Sequence, residues 1–391
     1  MKTKSVFIVL ISLIPITGIC MTENSKVSIL TSEPGSELYT LFGHTAIRIN
    51  DSSIGIDKVY NFGTFDFSSP FFYARFLKGN LDYFLSVNDY AGFIHNSQLE
   101  GRRVYEQILN LNFSEKSNLF YNLERQYNSD YRFYKYDFFY DNCATRVRDA
   151  IFNAYNKPIE YDTNSYCCQT FRQLLKPYIS KNYWIDFVVN LSLGKNADKV
   201  ARPNDFMFLP FYIKNILQDA HIVEKERLVI DAPISGKTVS NFSYLSPWLI
   251  ASLIILASFL TKYRKLISYF FFSLVGLTGL ILLIISLVSD NPAFSGNLNI
   301  YWTMPSIIIL LFRNRTIKNI VALSYLINLI SLLLFWNILS QEFSITIIPW
   351  ITTLMILLLM DLQWFKHISR IRTATVLNDE LAPFLVKRIK K

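Results

Sequence analysis

Apolar residues are distributed in two different ways along this chain. From residue 22 to residue 240 apolar and polar positions are interleaved, with Tyr, Phe and Asn frequent, as in a globular domain with a real core. From 244 to 362 Leu, Ile, Phe, Ser and Trp dominate, and charges fall only in short clusters. In the first stretch, alternating or continuous apolar runs predict strands over residues 26–30, 44–49, 58–62, 81–86 and 103–111. Asn50-Asp51-Ser52-Ser53 and Gly55 supply a turn that joins the second and third as a hairpin. Helical spacing appears over 114–127, 143–155, 169–179 and 205–219. Antiparallel strands followed by helices predict an α+β domain over 22–240.

The second stretch holds five runs long enough, or nearly so, to cross a bilayer: 244–261, 267–288, 299–312, 320–339 and 343–360. The third is short and contains Pro305. Together they predict an all-α transmembrane bundle of about five helices over 244–362, then a basic tail over 363–391. Lys262, Arg264 and Lys265 follow the first run, Arg313, Arg315 and Lys318 the third, and Lys366, Arg370 and Arg372 the fifth. The connections over 290–299 and 340–342 carry no Lys or Arg. Basic turns alternating with non-basic ones put the tail in the cytoplasm and residues 22–240 outside.

The amino terminus agrees. Lys2 and Lys4 precede an apolar run from Val6 to Ile16, and Pro15, Thr17 and Gly18 lie at its end, which predicts a signal peptide over 1–20. Cleavage after Cys20 places Gly18 three positions before the cut. Lipidation of Cys20 and an uncleaved anchor are the alternatives; Ile19 beside the cysteine opposes the first, and the shortness of the run the second.

The net charge of +9, from 39 Lys and Arg against 30 Asp and Glu, at first suggests a nucleic-acid partner. Many of these basic residues flank apolar runs, where they set topology, so the reading is a membrane partner and no nucleic acid.

The stretch richest in candidate chemistry is Tyr136-Asp-Phe-Phe-Tyr-Asp-Asn-Cys-Ala-Thr-Arg-Val-Arg-Asp149. Its aromatic run ends at Asp141-Asn142, both good helix caps, and Ala144, Val147, Ala150 and Ile151 then recur at helical spacing. Cys143 therefore falls in the first turn of a helix, where free N–H groups and the positive dipole end favour a thiolate. The N–H groups around Asn142 and Ala144 would serve a developing oxyanion, and Arg146 adds positive charge. A nucleophilic thiol needs a base. His44 opens an alternating strand in Phe42-Gly43-His44-Thr45-Ala46-Ile47-Arg48-Ile49, and the next strand offers Tyr60 and Asn61 to orient its imidazole. From these residues alone Cys143 reads more readily as a small buried hydrophobe, and His44 as a structural histidine. His95 and His221 lack comparable surroundings. Cys167-Cys168 is a vicinal pair, either a disulfide or two separate thiols, and three exported cysteines leave at least one free or intermolecularly bonded. No spacing matches a zinc site or a phosphate loop, so neither metal nor cofactor is expected.

Several motifs together resemble one family. They are Ser36-Glu37-Leu38-Tyr39 with Phe42 to Arg48, Val59-Tyr60-Asn61-Phe62-Gly63-Thr64-Phe65-Asp66-Phe67, Lys78-Gly79-Asn80-Leu81-Asp82-Tyr83, and Asp141 to Asp149. The family is the Lnb family of bacterial lipoprotein N-acyltransferases, and the resemblance runs on through the membrane tail with its Asn297, Trp302 and Pro305. The order of His strand and Asn-Cys helix is also similar to permuted papain-like folds, such as the lecithin:retinol acyltransferase group and NlpC-type peptidases. These resemblances imply a papain-like thiol-enzyme domain, with Cys143 as nucleophile and His44 as base. The third position, often His in the acyltransferase group, falls on Tyr60 or Asn61 here. They imply transfer of an acyl chain from a phospholipid donor to the α-amine of a diacylated lipoprotein acceptor, through a thioester, at the bacterial inner membrane with the domain in the periplasm. A membrane-tethered thiol amidase acting on cell-wall peptide, or a non-catalytic lipid-binding assembly module, would use parts of the same constellation.

Overall fold

Alternation in the exported half produces strands because each pleated ribbon buries one row of side chains on either side. The computed structural model describes residues 21–35, 37–232, 241–260, 262–312 and 314–362. The predicted signal peptide (1–20) and basic tail (363–391) lie outside the described residues. In chain order the first half runs β1 (Lys26–Ser32), β2 (His44–Asp51), β3 (Ile56–Phe65), α1 (Phe72–Lys78), β4 (Asp82–Asp89), α2 (Tyr90–Leu99), β5 (Val104–Leu109), α3 (Phe113–Tyr127), β6 (Phe133–Lys135), α4 (Cys143–Ala154), α5 (Phe171–Ile179), α6 (Tyr183–Ser192), α7 (Pro210–Asp219) and β7 (Val223–Ile230). The strands form one sheet in the order β6-β4-β3-β2-β1-β5-β7, every neighbour antiparallel. The predicted hairpin is β2–β3, closing at the pair Asp51 and Ile56.

One face of the sheet, with Val27, Ile29, Ile47, Ile49, Tyr60 and Phe62, packs under α3, α4, α5 and α7 as the main core. The other face buries Leu30, Ala46, Val59 and Val104 against Phe93 of α2. Arg48 is buried among these apolar residues because Asp57 (2.7 Å) and Glu106 (2.9 Å) neutralise it and the Tyr90 ring lies 3.3 Å from its guanidinium carbon. The helix expected over 205–219 is divided: a 3-10 turn at Pro203–Phe208 gives way to α7, whose first residue is Pro210. The ring of Pro210 forces Leu209 into an extended conformation, which ends the turn.

The membrane half comprises α8 (Asn241–Leu260), α9 (Arg264–Val288), α10 (Ile300–Thr303), α11 (Arg315–Leu334) and α12 (Ile348–Asp361). Among the described residues α9 and α11 are long and apolar enough to cross a membrane, and shorter apolar helices occupy the other three predicted spans. The third predicted span is discontinuous. Backbone at Met304–Pro305 breaks it into α10 and a 3-10 segment, Pro305–Leu311. This irregular piece lies against Gly276 and Gly279 of α9, where a Cβ on Gly279 would stand 1.7 Å from Thr303 O. Such backbone is tolerable at bilayer depth because protein surrounds it: Trp302 Nε1 donates to Asn299 Oδ1 (2.9 Å) and Tyr325 Oη to Trp302 O (2.5 Å).

The two non-basic connections seat directly on the exported domain. Asn297 Nδ2 donates to Leu191 O (2.7 Å), Asn299 Nδ2 to Asn190 O (3.0 Å) and Gln341 Nε2 to Leu193 O (3.3 Å). The Ser344 and Thr346 hydroxyls donate to Asp186 of α6, and Asp290 N–H to Lys78 O (2.8 Å). Among the described residues the basic turns with Lys262, Arg264 and Lys265 and with Arg315 and Lys318 lie at the opposite ends of the spans, in keeping with the side that the charge alternation assigns the domain.

Candidate active site

Cys143 is the first residue of α4, and Asn142 makes it so. The Asn142 Oδ1 accepts from Ala144 N–H (2.8 Å) and Thr145 N–H (2.9 Å), while the Thr145 hydroxyl accepts from Asn142 N–H (2.7 Å). The Asn142 amide donates to Phe138 O (2.8 Å) and Phe208 O (2.9 Å). Both ends of this buried side chain are consumed, so Asn142 supports the site as the cap of α4. Ala144 N–H is committed to the same cap. Arg146 is likewise redirected: it forms a two-pronged pair with Asp141 (2.5 and 2.7 Å) and stacks 3.7 Å from the Tyr134 ring centre.

Against the sulfur lie the backbone N–H groups of Thr45, Ala144 and Cys143 itself. Among the described residues the Cys143 N–H has no oxygen acceptor, as befits the first turn of a helix. It and the Thr45 N–H, next to His44, are therefore the donors available to an oxyanion at this sulfur. The helix start comes this close to β3 because of Gly63. Its φ is +86°, and a Cβ there would sit 3.2 Å from Cys143 Cβ.

His44 opens β2 and is half-buried. Its Nε2 lies 3.2 Å from Asn61 Oδ1. The Asn61 amide is itself fixed, because Nδ2 donates to Asn88 Oδ1 (3.1 Å) and Val59 O (3.3 Å). The imidazole proton therefore belongs on Nε2, leaving Nδ1 as the basic nitrogen. Tyr60 does not share this task, contrary to the sequence expectation. Adjacent strand residues point to opposite faces, and the Tyr60 hydroxyl donates across the core face to Glu124 of α3. No hydrogen bond joins the sulfur to the imidazole.

Burial dominates the electrostatics. It pushes the Cys143 thiol up to about 11, against the three backbone N–H groups and the charge of Arg102. Burial, then Arg102, pushes the His44 imidazole down to about 4, against its bond to Asn61. At neutral pH the pair rests as thiol and neutral imidazole, and the thiolate favoured by the helix start is overridden by desolvation. Arg102, absent from the sequence reading, is the cation common to both. It is buried, donates to Glu33 O (2.8 Å) and Glu100 (2.9 Å), and among the described residues its Nη2 has no partner. Asn88 was equally unread, since an Asn at a strand end has no local signature.

Elsewhere, Cys167 and Cys168 are exposed free thiols with sulfurs 2.9 Å apart. His95 lies in α2, and His221 in the turn after α7. A cavity of about 940 Å³ between α3 and α4, lined in part by Asn122, Arg125, Tyr140 and Arg146, includes neither Cys143 nor His44.

A thiol at a helix start, a histidine on the neighbouring strand and an amide behind it, all in a domain seated on apolar helices, define a membrane protein with a thiol-bearing α+β domain. Two family models match the chain, the Lnb N-terminal periplasmic domain over residues 19–177 and the Lnb transmembrane domain over residues 240–367. The chain belongs to the Lnb family, which places it among membrane proteins of lipoprotein biogenesis. No curated protein and no solved structure matches it.

Proposed function

We propose that this chain is a thiol-dependent lipoprotein N-acyltransferase. In the first half-reaction Cys143 Sγ attacks the ester carbonyl of a phospholipid while His44 Nδ1 takes the thiol proton. The Cys143 and Thr45 N–H groups hold the oxyanion, and collapse expels the lysophospholipid alkoxide, which takes the proton back from Nδ1. In the second, the α-amine of a diacylglyceryl cysteine attacks the thioester carbonyl. Its proton passes through His44 to the departing sulfur, leaving an amide. A thioester is more reactive toward an amine than the original ester, which gives the covalent intermediate its purpose.

The observation that carries this reading is the seating of the Cys143 domain on the non-basic connections of the membrane helices, which supports an enzyme whose substrates are lipid-borne. The test is the intact mass of the full-length protein given phospholipid alone, then a diacylated lipopeptide. An acyl adduct should form on Cys143 and discharge onto the lipopeptide. Cys143→Ala and Cys143→Ser should form none, and His44→Ala should slow adduct formation by about 10²- to 10⁴-fold. Triacylation of the lipopeptide at an undiminished rate by Cys143→Ala would sink the mechanism.

A further inference from the structure

A narrow apolar cavity of about 80 Å³ lies where the exported domain meets the membrane domain. Its wall on one side is Phe76, Leu81, Tyr83, Tyr136 and Phe138, and on the other Phe294 with Asn291, from the connection after α9. At its inner end these walls are neighbours of the catalytic pair. Burial and then the nearby Cys143 thiol push the Tyr136 hydroxyl well above its ordinary range. Phe138 packs 5.3 Å from Phe42, two residues before His44. Tyr83 stacks on Tyr136 at 4.4 Å and lies opposite Phe65 in the β3–β4 ladder.

Two residues of its wall continue into a row of aromatic rings that runs from the end of β3 to α1: Tyr83 packs 5.3 Å from Phe65, and Phe76 6.3 Å from Phe72. Phe65 and Phe67 are 4.7 Å apart, and Phe67 and Phe72 5.0 Å. Phe71 is 84% exposed and held at φ 55°, a region that a bulky side chain rarely enters. Phe67 is 62% exposed. This row stands at the non-basic end of α9, since α1 packs on that helix and Lys78 O accepts from Asp290 N–H. Exposed aromatic rings at that height are the composition of a membrane–water interface.

Taking the acyl-transfer reading as its basis, we propose that this crevice is the throat through which a lipid acyl chain passes from the outer leaflet to Cys143, with the exposed Phe67–Phe71 segment dipping into the leaflet beside it. A water molecule's share of volume is about 30 Å³, so the cavity holds only a few methylene groups. The throat grips the carbonyl end of the chain, and the remainder stays among the rings and in the bilayer.

The test uses full-length protein in phospholipid vesicles with Phe76→Asp, a half-exposed position at the mouth that contributes nothing to the catalytic pair. Formation of the Cys143 adduct from vesicle phospholipid should fall at least tenfold, while acylation by a short soluble ester, p-nitrophenyl acetate, should match the unsubstituted protein. In parallel, a phospholipid with a diazirine near the ester end of its acyl chain should photolabel the peptides holding Phe76–Tyr83 and Phe294, also in Cys143→Ala. Equal adduct formation from phospholipid by Phe76→Asp, or labels confined to the lipid-facing surfaces of α9 and α11, would overturn the throat and leave the acyltransferase reading standing. Failure of the unsubstituted protein to take an acyl group from phospholipid would remove both.

Discussion

His44 meets Asn61 through Nε2, 3.2 Å from Oδ1, and this contact decides which imidazole nitrogen is free to act as a base. Replacing Asn61 by Ala should slow Cys143 acylation about tenfold or more, yet by less than loss of the base, which typically costs about 10²- to 10⁴-fold. Asn88→Ala should have a smaller effect in the same direction, because it frees the Asn61 amide to rotate. The initial rate of adduct formation measures both. An Asn61→Ala rate equal to the unsubstituted one would mean that the imidazole is oriented by something else.

In the proposed mechanism Nδ1 must be unprotonated to accept the thiol proton, and burial and Arg102 push His44 down to about 4. Adduct formation should therefore stay level from about pH 8 down to about pH 5 and fall below that. Arg102→Met removes the second of the two lowering causes, so its half-point should move to higher pH. A melting curve confirms that the variant is folded. A half-point near 6.5 in the unsubstituted protein would show that the imidazole is solvated during turnover.

Brief iodoacetamide treatment near pH 7 should label the exposed Cys167 and Cys168 before Cys143, which is half-buried and whose thiol is pushed up to about 11. Peptide mapping reads the order. Preferential labelling of Cys143 would restore the thiolate that the helix start alone suggests.

Gly63→Ala should cost about 1–2 kcal/mol from its left-handed backbone and also press on Cys143 Cβ, 3.2 Å away. Gly55 is the control: its φ is +70° with nothing within 4 Å of the added Cβ. The two variants should lose similar thermal stability, and only Gly63→Ala should lose acylation. Equal activities would show that the contact with Cys143 is slack.

A reporter fused after Lys391 should read as cytoplasmic and one fused near residue 235 as extracytoplasmic, because the connections that seat on the exported domain are the two lacking Lys and Arg. Finding both on one side would mean an even number of crossings.

Much of this arrangement was legible as periodicity. The five predicted strands and the hairpin all form, since each buries apolar rows on a two-residue repeat, and the helix beginning at Cys143 follows from its cap. What escaped detection lacked a local signal. β7 reads Val-Glu-Lys-Glu-Arg-Leu-Val-Ile, and its charged, exposed positions guard a sheet edge instead of marking a core strand. β6 has three residues, too few to alternate. α1 begins without a side-chain cap at Phe71. At the site, Asn61 and Tyr60 stood as equals until strand parity separated them. The upward push on the Cys143 thiol is not legible in sequence, because helix position is local, whereas burial depends on strands and helices far apart in the chain.

The clamp between α6 and the connections after α9 and α11 also determines how this protein meets its substrates. A domain on a slack tether would sweep the periplasm and respond to molar concentration. One bolted to its spans, if the acyl-transfer proposal holds, waits for molecules that arrive by lateral diffusion, so its turnover should follow their mole fraction in the bilayer. Diluting the membrane with an inert lipid, at constant amounts of every reactant, should slow it.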